Sequence, residues 1–250
     1  MSQPRVEILP DRETLAESLA NWIVARFEAT TGPFSLNLSG GSTPKHLYEV
    51  LASEIMRRKF DWERVHIFFG DERFVPHSSP DSNYGMVHKA LLSHVPIPEE
   101  NIHPVKTDTG TPDDAAVAYE RTLKAFHGKS TLDRWRPLFS VTLLGLGNDG
   151  HTASLFPGSA ALRERDRWVT AVIGAKPEPR ITLTYPVLQS SHATVFLVAG
   201  EGKRAMLKRL IDRDPSIPAG CVNPDGEFLV FCDEDAFGDP TPDSARPQGV

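Results

Sequence analysis

Cysteine is scarce in this chain: its 250 residues include only two, Cys221 and Cys232. Two cysteines provide neither a disulfide framework nor a cysteine-rich zinc site. No uninterrupted apolar segment approaches the length of a membrane span. Asp11, Arg12 and Glu13 interrupt the N-terminal region before the apolar core of a signal peptide develops. We therefore expect a protein of the reducing cytoplasm that has no membrane partner.

An excess of basic residues is also absent. The chain has 27 Lys and Arg residues against 33 Asp and Glu residues, which gives a formal net charge of −6. Nucleic-acid-binding proteins normally present a basic face, so we expect no nucleic-acid partner. The charge balance still permits an anionic small molecule, because a few cations and helix N-termini can bind phosphate on an acidic protein.

Several motifs of metal and nucleophilic chemistry are missing. The nine histidines form no H-x-x-x-H pair, the spacing that places two metal ligands on one helical face. No Gly-x-Ser-x-Gly elbow is present, which disfavours a serine hydrolase. The glycine-rich segment at residues 39–44 is neither a Walker A motif nor a Rossmann G-x-G-x-x-G. The sequence therefore predicts no metal site.

Apolar segments of strand length alternate with segments of helical periodicity. The predicted strands are residues 6–9, 34–38, 65–69, 139–144, 169–173, 181–184, 194–199 and 227–232. The predicted helices are residues 11–30, 44–59, 111–126 and 200–211, with another beginning near residue 83. This alternation predicts an α/β fold with a mostly parallel sheet covered on both faces. We expect one domain over residues 1–235 and a disordered tail over residues 236–250, which is rich in Pro, Ser, Gly and Gln.

The first candidate loop follows the strand at 34–38 and contains Gly40, Gly41, Ser42 and Thr43. A glycine-rich turn that leads into a helix offers backbone N–H donors and a favourable dipole to an anion. The two hydroxyl groups add further donors, and Thr43 is predicted to cap the helix with Pro44 in its first turn. The pattern fits a phosphate site and also fits a plain tight turn before a capped helix.

The second candidate loop is Gly70-Asp71-Glu72-Arg73, where three charged residues follow an apolar strand directly. Arg73 is able to bind a phosphate or a carboxylate through two parallel hydrogen bonds. Asp71 is suited to hold sugar hydroxyls or to orient another polar group. Asn83, which follows Asp81-Ser82, is a further substrate-binding candidate. The alternatives are a solvated salt bridge for the charged run and a simple helix-cap role for Asn83.

The third candidate loop follows the apolar strand at 139–144 and contains Gly147, Asp149 and His151. A histidine at the carboxyl end of a strand is a candidate general base. If a helix begins near Thr152, its positive end favours a neutral imidazole, whereas Asp149 favours the charged form. A single loop histidine is otherwise most often a solvated residue.

The fourth candidate is Gly200-Glu-Gly-Lys203 at the start of the predicted helix 200–211. Lys203 is a possible partner of Ser42 and Thr43 around a phosphate, and Arg180 is a further candidate cation. Taken alone, each is more simply interpreted as an ordinary surface charge.

Together the four loops resemble the 6-phosphogluconolactonase branch of the glucosamine-6-phosphate isomerase/6-phosphogluconolactonase family. The resemblance rests on Leu36-Asn-Leu-Ser-Gly-Gly-Ser-Thr-Pro44, on Phe69-Gly-Asp-Glu-Arg-Phe-Val-Pro76 with Asp81-Ser-Asn83, on Gly145-Leu-Gly-Asn-Asp-Gly-His-Thr-Ala-Ser-Leu-Phe-Pro157, and on Arg180-Ile-Thr-Leu-Thr184 with Gly202-Lys203. The deaminases of the family share Asp-Gly-His but continue with an Ile-Ala-Phe-Asn-Glu-type segment, which supplies an acid for ring opening. Here residues 152–157 contain no acid, so the resemblance favours lactone chemistry over amino-sugar isomerisation.

The resemblance implies a three-layer α/β/α domain with a Rossmann-like, mostly parallel sheet. It also implies hydrolysis of 6-phospho-D-glucono-1,5-lactone to 6-phospho-D-gluconate in the oxidative pentose phosphate pathway, without a metal or organic cofactor. The implied partner is this phosphorylated sugar lactone, and the expected oligomeric state is a monomer or a weak dimer. The competing interpretations are a glucosamine-6-phosphate deaminase-like enzyme and a non-catalytic sugar-phosphate sensor.

The resemblance also distributes roles over the candidate residues. The phosphate is expected among Gly41, Ser42, Thr43, Arg180 and Lys203, a set that Arg73 either joins or leaves for the lactone. His151 is expected to take a proton from the attacking water. Backbone N–H groups between Gly147 and Gly150, or Arg73, are expected to stabilise the oxyanion. Asp149 or Asp71 is expected to position the imidazole or the substrate hydroxyls.

Overall fold

The computed structural model describes residues 3–238 of the chain. Within this range the strands are β1 (Arg5–Leu9), β2 (Phe34–Leu38), β3 (Val65–Phe69), β4 (Asp71–Arg73), β5 (Phe139–Gly145), β6 (Val169–Val172), β7 (Arg180–Leu183), β8 (Ser191–Val198) and β9 (Glu227–Asp233). The helices are α1 (Arg12–Glu28), α2 (Ser42–Ala52), α3 (Glu54–Arg57), α4 (Asn83–Ala90), α5 (Pro112–His127), α6 (Tyr185–Gln189), α7 (Arg204–Ile211) and α8 (Glu234–Phe237).

The main sheet has the order β1-β9-β8-β5-β2-β3, and every neighbouring pair is parallel. All five residues of β2 are buried, which requires cover on both faces of the sheet. Helix α1 contributes Leu15, Leu19 and Ile23, which are fully buried at a spacing of one helical turn. The predicted α/β class with a parallel sheet between helical layers is therefore confirmed.

The chain changes direction across the main sheet between β2 and β5. From β2 the chain continues to β3 on one side, and from β5 it continues to β8 on the other. The loops that leave the carboxyl ends of β2 and β5 consequently diverge. In open α/β sheets such a divergence forms a crevice in which ligands bind. The first and third candidate loops, at residues 39–44 and 146–151, flank this crevice.

A second, three-stranded antiparallel sheet of order β4-β7-β6 lies outside the main sheet. The predicted strands at 169–173 and 181–184 belong to it rather than to the parallel core. Its strand β4 continues almost directly from β3, because only Gly70 separates them. The small sheet therefore carries Asp71, Arg73 and Arg180 beyond the carboxyl edge of the main sheet.

Two local predictions are wrong, and two further details of the structure bear on expectations made from the sequence. The predicted helix 44–59 is divided into α2 and α3 at Ser53, which caps α3. Gly41, at φ 109°, rather than Thr43 is the N-cap residue of α2. No helix begins near Thr152; residues 152–155 form a tight turn in which Leu155 N donates to Thr152 O at 3.0 Å. Helix α8 extends past residue 235 and buries Ala236, and residues 239–250 of the predicted tail lie outside the described part of the chain, so the boundary at residue 235 stays a prediction.

Candidate active site

A cavity of about 710 Å³ lies at the carboxyl edge of the main sheet. The structure brings all of the predicted site residues to its wall: Gly40, Gly41, Ser42, Thr43, Asp71, Arg73, Asn83, Gly147, Asp149, His151, Arg180 and Lys203. They come from four loops that are as far apart as residues 40 and 203 in the sequence. The divergence of β2 and β5 and the attached small sheet together explain why these loops meet.

His151 and Asp149 form a hydrogen-bonded pair at the end of β5. The imidazole Nδ1 contacts Asp149 Oδ1, and the backbone N–H of His151 donates to the same oxygen at 3.1 Å. Burial raises the pKa of Asp149, but the hydrogen bonds from His151 and its electrostatic attraction together outweigh burial and hold that pKa below its usual range. Because the carboxylate occupies Nδ1, Nε2 is the ring nitrogen left to exchange a proton with a ligand or water.

Gly147 allows the imidazole to lie against the loop backbone. A Cβ added at this residue would be 2.7 Å from His151 Cγ and nearer still to Nδ1. The Gly147 N–H donates to His151 O at 2.8 Å, and the Gly150 N–H donates to Gly147 O at 3.0 Å. These two amides already hold the loop together. The Gly147 and Gly150 N–H groups are thus bound within the loop, and the expectation that backbone N–H groups of this loop stabilise an oxyanion stays a prediction.

Asp71 is held between the third loop and helix α4. Ser154 Oγ donates to Asp71 Oδ2 at 2.6 Å. Asn83 Nδ2 donates to Asp71 O at 2.9 Å and lies 3.4 Å from Asp71 Oδ1. Asn83 is not the cap of α4, because Ser82 Oγ accepts from Gly85 N at 3.0 Å in that role. Gly40 leaves room for the Asn83 amide, since a Cβ there would lie 2.6 Å from Asn83 Cγ.

Glu72, which the sequence interpretation did not select, anchors this arrangement from beneath the cavity. Its side chain is fully buried and accepts hydrogen bonds of 2.7 Å from the backbone N–H groups of Arg73, Asn83 and Tyr84. Ser82 Oγ donates to the same carboxylate at 3.1 Å. Burial raises the pKa of Glu72, and the three N–H donors oppose that rise. The carboxylate fixes the N-terminus of α4 to β4.

Arg73 and Arg180 are cross-strand partners in the small sheet. Each guanidinium has a buried Nε that lacks a hydrogen-bond partner among residues 3–238. Arg73 donates to Asp81 O, and Arg180 lies 3.4 Å from a carboxylate oxygen of Glu178. Burial, and secondarily the charge of Arg73, lowers the pKa of Arg180. Two adjacent positive charges repel each other, so the pair is well suited to an anion that bridges them.

Lys203 approaches the third loop from the end of β8. Its Nζ donates to Asn148 Oδ1 at 2.6 Å. Burial lowers the pKa of the Lys203 ammonium, and the negative charge of Asp149 partly offsets this effect. Ser42 and Thr43 occupy the first turn of α2, where the free backbone N–H groups of a helix point to the solvent. A cation and a helix N-terminus thus face one cavity.

Three further lining residues were missed by the sequence interpretation, namely Ser154, Phe156 and Lys176. The His151 and Phe156 rings lie 4.7 Å apart between centroids, and Lys176 Nζ lies 5.2 Å from the Phe156 centroid. A lysine in a polar loop carries no local pattern of its own. Its proximity to Arg180 in the segment between β6 and β7 is the signal that was available.

No group of three or more His, Cys, Asp or Glu side chains within residues 3–238 is arranged to hold a metal ion. Nor does the same range contain a helix that is both long enough and apolar enough to cross a membrane.

Residues 10–231 match the family model described as glucosamine-6-phosphate isomerases/6-phosphogluconolactonase. The chain belongs to this family. It is 40% identical to the 6-phosphogluconolactonase of Nostoc sp. over 91% of this chain and 95% of that protein. It is 38% identical to the 6-phosphogluconolactonase of Rattus norvegicus over 92% of this chain and 91% of that protein.

Solved structures agree with this membership. The 6-phosphogluconolactonase of Trypanosoma cruzi superposes with a TM-score of 0.83 at 30% identity, over 94% of this chain and 97% of that one. A monomeric glucosamine-6-phosphate deaminase superposes with a TM-score of 0.78 at 17% identity, over 93% of this chain and 98% of that one. The second likeness concerns the fold alone.

Proposed function

We propose that this chain hydrolyses 6-phospho-D-glucono-1,5-lactone to 6-phospho-D-gluconate, a step of the oxidative pentose phosphate pathway. The observation that carries the proposal is the His151–Asp149 pair, which faces a cavity that also contains several cations. A sugar phosphate needs cations for its phosphate, and its lactone carbonyl needs a base that activates water. The lactonases of Nostoc sp. and Rattus norvegicus, similar over nine-tenths of the chain, support the same substrate.

In the proposed complex the phosphate dianion lies among Arg180, Lys203 and the first turn of α2 with Gly41, Ser42 and Thr43. The unpartnered Nε of Arg180 and the helix N-terminus support this assignment. Anchoring the phosphate limits the positions of the lactone ring and so orients C1 toward the base. Asp71 and Asn83, which are fixed to each other, are suited to the sugar hydroxyls.

The proposed chemical step begins at His151 Nε2, which takes a proton from water as the water oxygen bonds to C1. The carbonyl oxygen becomes negative, and the tetrahedral intermediate then expels the ring oxygen. The imidazolium returns its proton to that oxygen, so the bond between C1 and the ring oxygen breaks without a free alkoxide. The carboxyl group formed at C1 ionises at neutral pH. Asp149 holds Nδ1 and stabilises the imidazolium between the two proton transfers.

Two other functions fit the fold less well. An amino-sugar deaminase needs an acid in the segment after His151, whereas residues 152–157 contain none and begin with the tight turn at 152–155. A sugar-phosphate sensor needs no base, yet His151 and Asp149 are both present and hydrogen-bonded. All the groups invoked belong to one chain, so we expect a monomer to be active.

Substitution of the base tests the proposal. We expect His151→Asn to lower kcat by about 10²–10⁴-fold, because the attacking water loses its proton acceptor. The lactone opens unaided in water, so each rate is measured as the excess over an enzyme-free control. A wild-type rate equal to that control, or a His151→Asn variant with wild-type kcat, would contradict the proposal.

Arg180 provides the matched contrast within the same cavity. We expect Arg180→Met to raise KM by about tenfold or more with a smaller effect on kcat, since a charged hydrogen bond to the phosphate is lost. The reaction is followed at saturating and at limiting lactone concentrations. An unchanged KM would remove Arg180 from the phosphate site.

A further inference from the structure

The cavity contains more cations than the phosphate of one ligand needs. Its wall includes four cations, Arg73, Lys176, Arg180 and Lys203, and two carboxylates, Asp71 and Asp149. Arg73 and Arg180 are neighbours on adjacent strands, and Lys203 is bound to Asn148. Lys176 differs from these three, because it is exposed and comes from the loop between β6 and β7.

Lys176 is linked to the proposed base through one aromatic ring. Its Nζ lies 5.2 Å from the centroid of Phe156, whose ring lies 4.7 Å from that of His151. A contact of an exposed ammonium with an aromatic ring is worth about 0.5–1 kcal/mol. That energy keeps the ammonium near His151, and it is small enough for the flexible side chain to leave the ring for an anion.

The proposed reaction creates negative charge at the His151 end of the ligand. The intermediate carries an oxyanion on C1, and the product carries a carboxylate there. The amides of Gly147 and Gly150 are committed to the loop, so they do not meet this charge. A nearby cation that makes no hydrogen bond or ion pair among residues 3–238 is the natural substitute.

We propose that Lys176 is a specificity-determining residue that binds the C1 oxygens, stabilising the oxyanion during hydrolysis and holding the carboxylate of the product. The inference rests on the proposed function for the orientation of the ligand. It assigns the two ends of the cavity to different cations, with Lys176 at C1 and Arg180 and Lys203 at the phosphate.

The test compares two open-chain ligands that differ only at C1. 6-Phospho-D-gluconate has a carboxylate there, and D-glucitol 6-phosphate has a neutral hydroxymethyl group. Their Kd values are measured by calorimetry for the wild type, Lys176→Met, Lys176→Arg and Lys203→Met. Methionine retains an unbranched apolar chain that is able to cover Phe156, so the substitution removes mainly the charge.

We expect Lys176→Met to raise the Kd of 6-phospho-D-gluconate by about tenfold, which corresponds to the loss of one charged hydrogen bond. The Kd of D-glucitol 6-phosphate should rise by less than about twofold, because this ligand has no charge at C1. Lys176→Arg should recover most of the affinity. Lys203→Met should raise the Kd values of both ligands by the same factor. In steady-state assays Lys176→Met should lower kcat by about tenfold.

Equal weakening of both ligands by Lys176→Met, or weakening of neither, would overturn the assignment. So would a Lys203→Met variant that loses affinity only for the carboxylate ligand. The outcome is separable from that of the proposed function: a wild type without lactonase activity refutes the function, whereas an active wild type with an unchanged Lys176→Met variant refutes only this inference.

Discussion

Gly147 illustrates at the residue scale how the absence of a side chain shapes the site. The His151 ring occupies the space in which a Cβ of residue 147 would lie, with Cγ only 2.7 Å from that position. Gly147 does not need glycine for its backbone, because its φ is outside the positive range. Glycine is therefore needed at residue 147 to leave space for the His151 ring. A substitution at this residue tests whether the position of that ring matters.

We expect Gly147→Ala to lower kcat by about 10²-fold, because the new methyl group displaces the imidazole by up to about 1 Å. The melting temperature should change little, since alanine is compatible with the backbone at this residue. Kinetics on the lactone and a thermal melt of the same sample provide the two measurements.

Gly202→Ala is the matched control, since a Cβ at Gly202 has no atom within 4 Å. It should retain wild-type kcat. If Gly147→Ala also keeps its kcat, the observed contact between the loop and the imidazole is not required for catalysis.

At the scale of elements, two histidines attach the segment after α4 to the edge strand β3. His103 N donates to Ile67 O at 2.9 Å, and His66 Nδ1 lies 3.3 Å from His103 Nε2. The His103 ring is stacked on Phe68 with centroids 4.3 Å apart. Burial, together with the neighbouring His66, lowers the pKa of His103 to about 4. The attachment therefore depends on neutral imidazoles.

This depressed pKa predicts a loss of stability on acidification. The unfolded chain takes up the proton near pH 6.5 and the folded chain only near pH 4, so the contribution is complete above pH 6.5 and falls as the pH drops toward 4. The free energy of unfolding should fall by on the order of 2–3 kcal/mol through this group, a figure that already allows for screening by solvent. Urea unfolding at several pH values measures it.

His103→Phe keeps a ring against Phe68 and cannot titrate. Its free energy of unfolding should therefore depend less on pH between 6.5 and 4 than that of the wild type. Parallel pH profiles for the two proteins would show that His103 does not control the acid sensitivity.

The sequence predicted the strands of the parallel core because apolar runs between turns have a local signature. It did not predict which sheet each strand joins, since 181–184 has the same local pattern as a core strand and its partners, β4 and β6, are selected by non-local pairing. The cap of α2 was assigned to Thr43 from residue preference, whereas the turn needs a positive φ that glycine provides at residue 41.

The site was predictable to a different degree for each kind of residue. Residues such as His151 and Arg73 stand next to strand ends and glycines, which mark them as candidates. Glu72 was not selected because a charged residue after a strand is normally solvated. Here its carboxylate is buried and accepts hydrogen bonds from the backbone at the start of α4. Lys176 was missed because only the fold brings its loop to Phe156.

At the scale of the whole molecule, the contacts of α8 determine where the folded domain ends. Asp233 accepts from Gly200 N at 2.9 Å and from Ala236 N at 2.8 Å, so it joins α8 to the loop that precedes Lys203. Arg204 donates to Asp235 O at 3.0 Å. These contacts bring α8 into the domain, and we propose that the domain extends to Gly238 rather than to residue 235.

Two truncations test this boundary. Removal of residues 234–250 eliminates α8 with the buried Ala236, and we expect the melting temperature to fall by about 4–8 °C for a loss of about 2 kcal/mol. KM should rise a few-fold, since the loop before Lys203 loses its support. Removal of residues 239–250 alone should leave both quantities unchanged, because only Ala245 and Val250 in that segment are apolar, too few for a packed element. If the shorter truncation lowers the melting temperature as much as the longer one, residues 239–250 contribute to the folded domain and the boundary at Gly238 is wrong.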